Sequence, residues 1–512
     1  MVPISRREFV KTTAKGVAIA SIPFFFKANP LMALTTPGGD GSLQSYMDHF
    51  GVSETMIREI MSAAMDKGGD YCDLFFQHKM SSYVALEDDA VNRAYTNVDF
   101  GVGIRVIKGD QTGYSFTEDV TLKSMKTAAR TAANIAQGIA SGEIAKLGYH
   151  PTPNYYQIKT KWEDVTIEQR IPTIQKINKV MHESDKRVIK TNASISDNSA
   201  YILIATSDGR LVCDYQPMVR VSGYCTAEQD GKRESNGYDL CGRSGIEFVS
   251  SESLDRIGTG AVRRTVNLFD AVKPEAGEMP VVLAAGSSGI LLHEAIGHGM
   301  EADFNRKNAS IFSDKIGKPV AENFVTIIDD GTNQNVRGSI NVDDEGMDSQ
   351  KTYLVKDGIL ESYLHDRISA KYYGVKPTGS GRRQSFRFAP IPRMRNTYMD
   401  NGPHFVEEII SSVKKGIYVE QFTNGQVNIG AGDYTFYVKA GNLIEDGKLT
   451  KPIKDINLIG NGPDSLTKVT MVANDMKMAE GGWTCGKSGQ GVPVSMGLPT
   501  VLVSSITVGG IS

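Results

Sequence analysis

Residues 279–298 read MPVVLAAGSSGILLHEAIGH. The apolar run Met279 to Ala285 has the length and composition of a buried strand, and Gly286-Ser287-Ser288-Gly289 turns the chain after it. Ser287 or Ser288 offers an N-cap oxygen, which predicts a helix beginning near Gly289. On that helix Ile290, Leu291, Ala295 and Ile296 supply an apolar face, and His293 and His298 flank Glu294. Two imidazoles beside a carboxylate are the makings of a hydrolytic metal site: the imidazoles ligate, and the carboxylate acts on a water as general base.

The spacing is unusual. In H-E-x-x-H the histidines are i and i+4, about 40° apart around a helix of 3.6 residues per turn, whereas i and i+5 are about 140° apart. A regular α-helix would aim the two rings at different neighbours. Gly297, just before the second histidine, with Gly299 after it, is therefore expected to permit a π-bulge or an opened last turn, irregularities that gather at functional sites. The alternative is two partly exposed helix histidines with a chance glutamate.

Working outward, Lys273 to Glu278 marks a boundary before the metal strand, and a helix is predicted upstream over Ser253 to Phe269. The chain divides into a signal segment 1–33, an N-terminal α+β domain 45–272 with a possible subdivision near 151–165, and a C-terminal domain 278–512. In the first of these domains Ser53 to Lys67 reads as a capped helix. Cys72 to Gln77, Tyr83 to Leu86, Phe100 to Ile107 and Gly113 to Phe116 read as short strands. Thr121 to Gln137 and Ile167 to Lys186 read as helices, and 188–250 as antiparallel strands turning at Ser207-Asp208-Gly209. Nothing in this half looks catalytic. The second half, with glycine turns and short apolar strands ending in Thr500 to Val508, looks mainly antiparallel, so the fold class is α+β.

Ser5-Arg6-Arg7-Glu8-Phe9-Val10-Lys11, followed by an apolar stretch from Gly16 to Phe26, reads as a twin-arginine export signal and predicts a periplasmic or extracytoplasmic protein. No segment approaches the ~20 apolar residues of a stable membrane span. Lys+Arg 56 against Asp+Glu 59, a net charge of -3, leaves no electrostatic footprint for nucleic acid. Five cysteines, Cys72, Cys213, Cys225, Cys241 and Cys485, are few for a disulfide scaffold, and one of them is available as a ligand.

Two further motifs need weighing. Gly481-Gly482-Trp483-Thr484-Cys485-Gly486-Lys487-Ser488 fits the P-loop pattern, but the Gly489 to Pro493 that follows cannot readily continue a phosphate-binding helix. The stretch from Arg382 to Arg395, with five arginines among aromatics and prolines, reads as a solvated surface turn, or as arginines that hold loops through Asp343, Asp344 and Glu345 or meet a peptide carboxylate.

By these residues the chain resembles the TldD/PmbA family of metallopeptidases, in its TldD branch. The likeness rests on Asp70 to Phe76, Leu86-Glu87-Asp88 and Gly101 to Arg105, then on His293 to His298 with Glu301-Ala302-Asp303, Val342 to Gly346, Gly381-Arg382-Arg383, Pro392-Arg393-Met394 and Gly482 to Gln490. PmbA-type members lack H-E-x-x-x-H; this chain keeps it. The resemblance implies a two-domain architecture of largely antiparallel sheets with a C-terminal metal-binding domain. It implies a zinc peptidase with His293, His298 and Cys485 as ligands and Glu294 as base, acting on unfolded or extended peptides. It also implies a homodimer, or a heterodimer with a PmbA-like paralogue. Two histidines, one thiolate and an open position make a catalytic zinc shell on chemical grounds as well, and the glycines around Cys485 suit a close approach of backbone to ion. The alternative is a catalytically silent peptide-binding or assembly partner. The export signal departs from the cytoplasmic members of the family.

Overall fold

The computed structural model describes residues 41–510 apart from 137 and 139–142; the twin-arginine stretch lies outside the described residues. Two helices come first, Leu43–Phe50 and Glu54–Met65, each started by a serine whose hydroxyl accepts a backbone N–H: Ser42 from Ser45 and Ser53 from Met56. Ile57, Ile60, Met61 and Ala64 form the buried face of the second, as their spacing dictates.

A single antiparallel sheet then carries most of the first half. Its strands are β1 (Tyr71–Glu87), β2 (Ala90–Lys108), β3 (Gln111–Thr117), the short β4 (Gly148–Tyr149), β5 (Val188–Thr206), β6 (Arg210–Gln229) and β7 (Lys232–Gly242). Their order is β3-β2-β1-β5-β6, with β4 and β7 both pairing β6, β4 in parallel. The short strands expected at Cys72 to Gln77 and Tyr83 to Leu86 are one strand of 17 residues. The apolar alternation lapses at Met80-Ser81-Ser82 because the sheet loses its cover there, not because the strand ends.

All the helices of this half lie on one face. Leu43–Phe50, Glu54–Met65 and Leu122–Ala133 cover Cys72, Leu74, Phe76, Ile104 and Leu203. Ile167–Ser184 and Ser251–Val266 cover Val84, Leu86, Ile195 and Val221. On the opposite face Phe75, Ile202, Ile204 and Val212 pack against Val342 and Phe386 of the second half.

In the second half β8 (Gly277–Leu283) lies between Lys415–Val427, parallel to it, and Val501–Gly510, antiparallel. With Ile456–Asn461 and Asp433–Glu445 these strands close into a five-stranded ring, because Asp433–Glu445 pairs back onto Lys415–Val427. A six-stranded sheet, including Ile327–Asp330, Asn396–Met399 and Ser495–Leu498, stands beside it. The result is a mixed α+β, mostly antiparallel fold, as expected. Among the described residues no helix is long and apolar enough to cross a membrane.

Candidate metal centre

The segment leaving β8 is helical but irregular. A 3-10 turn, Ser287–Gly289, leads into one α turn, Ile290–Leu292, then a π turn, His293–Gly297, and a last 3-10 turn, His298–Met300. The serine N-cap expected here is not made: Ser287 and Ser288 instead donate to the carbonyls of Glu420 and Val419 on the neighbouring strand, anchoring the turn to the sheet. The π turn answers the spacing problem. The His298 N–H bonds the His293 carbonyl, an i→i+5 closure that brings the two histidines to the same side. Their rings meet edge to face, centroids 5.2 Å apart. Gly297 is required by packing, since a Cβ there would overlap the Met394 thioether.

Cys485 reaches this pair from the far end of the chain. It sits on the first strand of a hairpin, Thr484–Lys487 with Gln490–Pro493, closed by Ser488 (φ 51) and Gly489 (φ 72), the positive-φ pair of a tight I′-like turn. A hairpin is not a helix N-terminus, so the P-loop spelling is accidental. Cys485 Sγ is 3.3 Å from His298 Nε2, and one donor atom from each of His293, His298 and Cys485 lies within 4.8 Å of the others. All three are buried; Glu294, with its carboxylate 3.7 Å from His298 Nε2 and its side chain 21% exposed, is the member that reaches solvent.

The surroundings orient the cluster. Glu301 accepts a hydrogen bond from His298 Nδ1 at 2.9 Å, which turns Nε2 toward Cys485. Lys487 holds Glu301 at 3.0 Å and Asp303 at 2.7 Å. Burial would raise the Glu301 carboxyl, yet Lys487 and His298 lower it to about 2. Burial would likewise raise the Cys485 thiol, but the two imidazoles draw it well below the ordinary thiol value. For His298 burial lowers, and Glu301 and Cys485 outweigh it to raise the imidazole well above its usual value. A lowered thiol favours the thiolate, the form that binds metal.

These residues fit a zinc ion. Both ring nitrogens of His293 are buried without a hydrogen-bond partner, at ~1–3 kcal/mol for each unsatisfied group, and a shared cation would satisfy a lone pair there. The 3.3 Å between Sγ and Nε2 is close to the ~3.5 Å edge of a tetrahedron with Zn–S ~2.3 and Zn–N ~2.0 Å.

Three arginines clasp the hairpin through its carbonyls: Arg393 donates to Cys485, Arg382 to Pro493 at 2.7 Å, and Arg337 to Trp483 at 2.8 Å. Arg382, Arg383, Arg393 and Arg395 are all buried, so the 382–395 stretch is no surface turn. Of the expected carboxylate partners, Asp344 accepts the Arg383 N–H at 2.7 Å; Arg395 instead pairs Asp329 at 2.6 Å, and Glu345 takes Arg105 at 2.7 Å. The glycines around Cys485 play a different part from the one anticipated. A Cβ at Gly482 would collide with Arg220, whereas Gly486 faces open space.

The first half also touches the loop that leads to Cys485, a contact that nothing in the sequence announced. Asp239 on β7 accepts the Gly482 N–H at 2.8 Å, and the Cys241 N–H donates to the Glu480 carbonyl at 2.8 Å. Glu301 was visible in the sequence only as a neighbour of the motif and Lys487 only as part of a false P-loop. A carboxylate three residues past a ligating histidine was the available signal.

Comparison with known proteins agrees with this architecture. Family models for the PmbA/TldA metallopeptidases match residues 72–136 (domain 1), 160–269 (central domain) and 276–510 (C-terminal domain). The chain is 40% identical over 468 residues to the "Metalloprotease TldD homolog" of Haemophilus influenzae, covering 90% of this chain and 97% of that protein. It is 31% identical over 434 residues to a metalloprotease of Methanocaldococcus jannaschii, covering 84% and 95%. Among solved structures, a Thermotoga maritima protein described as a putative modulator of a DNA gyrase superposes with TM-score 0.73 at 20% identity, over 89% of this chain and 99% of that one. TldE from Thermococcus kodakarensis does so with TM-score 0.70 at 18% identity, over the same shares. The chain belongs to the PmbA/TldA metallopeptidase family. The first two family segments are covalently and structurally continuous, sharing the sheet β1–β7. The metalloprotease names of the relatives support a metallopeptidase and a metal cofactor.

Proposed function

We propose that the protein is a zinc-dependent peptidase hydrolysing unfolded or extended peptides, with His293, His298 and Cys485 as ligands and Glu294 as base. One observation carries the reading: three buried metal donors converge while the adjacent carboxylate alone reaches solvent. Zinc bound there supplies Lewis acidity toward a water and a peptide carbonyl. Glu294 takes a proton from the attacking water and delivers it to the leaving amine nitrogen. Glu301 and Lys487 keep His298 oriented, and the π turn keeps His293 beside it. A cysteine nucleophile paired with His298 would leave Glu294 and His293 without a role, and the Cys485 thiol is buried.

Metal analysis of the purified protein is the test. The expected result is about one zinc per chain, lost in His293→Ala and Cys485→Ala, and kept in Glu294→Gln together with loss of peptide cleavage. Wild-type protein free of metal even after reconstitution would overturn the reading in favour of a catalytically silent peptide-binding partner.

The protein works as a homodimer or with a PmbA-like paralogue, which sedimentation of the chain alone and with such a paralogue distinguishes. It is exported by the twin-arginine route to the periplasm. Replacing Arg6 and Arg7 by lysine is expected to retain it in the cytoplasm; unchanged export in a fractionation experiment would refute that route.

A further inference from the structure

The sheet face that meets the second half is sealed by apolar side chains at one end and carries polar and charged ones at the other. Phe75, Ile202 and Ile204 close the sealed end. Gln77 follows on the same face, its side-chain oxygen accepting the Phe386 N–H at 3.2 Å. Lys79 comes next, directly across from Ala200, which lies opposite Gln216. Met218 and Cys241 share this face, their sulfurs 4.0 Å apart, and Arg337 reaches down onto them, donating from Nη1 to Cys241 Sγ at 2.9 Å. The same guanidinium bonds Thr484 Oγ1 at 3.3 Å, one residue from Cys485. Arg243, buried beneath, donates to the Pro217 carbonyl. Lys79 is two strands across and two residues along from Met218, about 12 Å at ~4.8 Å per strand and ~3.3 Å per residue, a gap that lysine and arginine side chains span from either side.

This group has an excess of positive charge. Lys79 is half-buried, and among the described residues its ammonium makes neither a hydrogen bond nor an ion pair within 4 Å. Arg243 and Arg337 donate only to carbonyls, a hydroxyl and a thiol. The carboxylates on this face are already engaged: Asp99, opposite Lys79, by Arg387 at 2.9 Å, and Asp239 by Arg220 at 2.8 Å. Asp214 accepts from the neutral groups Tyr156, Asn341 and Gln216, and with Asp344 its charge offsets Arg243, which leaves Lys79 and Arg337 as the cations without a carboxylate. Burial lowers the Lys79 amine, and Arg243 and Arg337 lower it further against the pull of Asp99. Bringing an anion to Lys79 relieves this repulsion.

We propose that Lys79, backed by Arg337 and Arg243, receives a carboxylate of the bound peptide, so that the substrates are peptides presenting either a free C-terminus or an acidic side chain a short distance from the scissile bond. This rests on the peptidase reading above and narrows its substrate class.

The test uses the full chain carrying Glu294→Gln and three N-terminally labelled peptides of one sequence: a C-terminal acid, its amide, and the amide with glutamate as last residue. Binding is followed by fluorescence anisotropy. The acid or the glutamate peptide is expected to bind about tenfold tighter than the plain amide, the tighter of the two identifying the carboxylate's source. That preference is expected to fall to near onefold with Lys79→Gln and to return with Lys79→Arg. Equal binding of all three peptides overturns the proposal, as does no binding of either carboxylate-bearing peptide. So does a preference that survives Lys79→Gln. Cleavage by the wild type, run in parallel, separates the two readings. Hydrolysis of all three peptides at equal KM refutes the carboxylate site and leaves the peptidase intact, whereas selective binding without any hydrolysis refutes the peptidase and keeps the site.

Discussion

His298 is constrained from two directions, by Cys485 at Nε2 and by Glu301 at Nδ1. Removing the outer partner tests how much of the metal affinity comes from orientation. Glu301→Gln is expected to weaken zinc binding by about 10–100-fold, measured by competition against a chromogenic chelator, because an amide holds the Nδ1–H less strongly and gives up the pair with Lys487. An unchanged affinity would mean that the π turn alone aims the ring. At this scale the sequence was most legible where chemistry is local. His293, Glu294 and His298 stand in one hexapeptide, and their spacing demanded the helix irregularity that the π turn His293–Gly297 provides, with Gly297 there to make room for Met394. Lys487 was not legible, because its partners Glu301 and Asp303 lie more than 180 residues upstream and nothing in its own neighbours announces a buried cation.

Among the elements, the first helix is tied to the sheet by an imidazole pair. His49 Nε2 and His78 Nδ1 are 2.7 Å apart with their rings stacked, one donating to the other. Burial, followed by the charge His78 would carry, lowers His49 to about 4. The folded state therefore refuses a proton that the unfolded chain binds near pH 6.5. The stabilising contribution is present above pH 6.5 and is lost as pH falls toward 4. Thermal unfolding at pH 7.5, 5.5 and 4.5 is expected to show Tm falling by several degrees across that window, with a shallower fall in His49→Gln. Parallel profiles for the two proteins would exclude the pair as the titrating unit. Strand length was misread for a related reason of environment. The pattern of β1 is legible where helices cover it at Cys72, Leu74 and Phe76, and it fades at Ser81 and Ser82 although the ladder to β2 and β5 continues through them.

Across the whole molecule, the join between the halves depends on a charge network with no solvent access. Arg105 on β2 pairs Asp73 through Nε at 2.6 Å and Glu345 through Nη1 at 2.7 Å, and Glu345 also accepts the Arg367 N–H at 2.7 Å. Arg105→Met leaves Glu345 without its ion-pair partner and Asp73 with Arg383 alone, at 3.2 Å, and is expected to cost about 3–5 kcal/mol in denaturant unfolding. A loss below about 1 kcal/mol would mean that the apolar contact of Phe75 and Ile204 with Val342 and Phe386 suffices. Partners 240 residues apart cannot be paired by spacing or composition. What joins the two halves was therefore not legible in the sequence. The same long reach governs when the donor cluster can exist. Cys485 is made 187 residues after His298, and the strand Val501–Gly510 that flanks β8 follows it. At ~5–20 residues per second a ribosome takes ~10–40 s to cover that interval. A growing chain therefore carries its histidine pair without the thiol throughout that interval, so the three-donor cluster cannot assemble until Cys485 has been made.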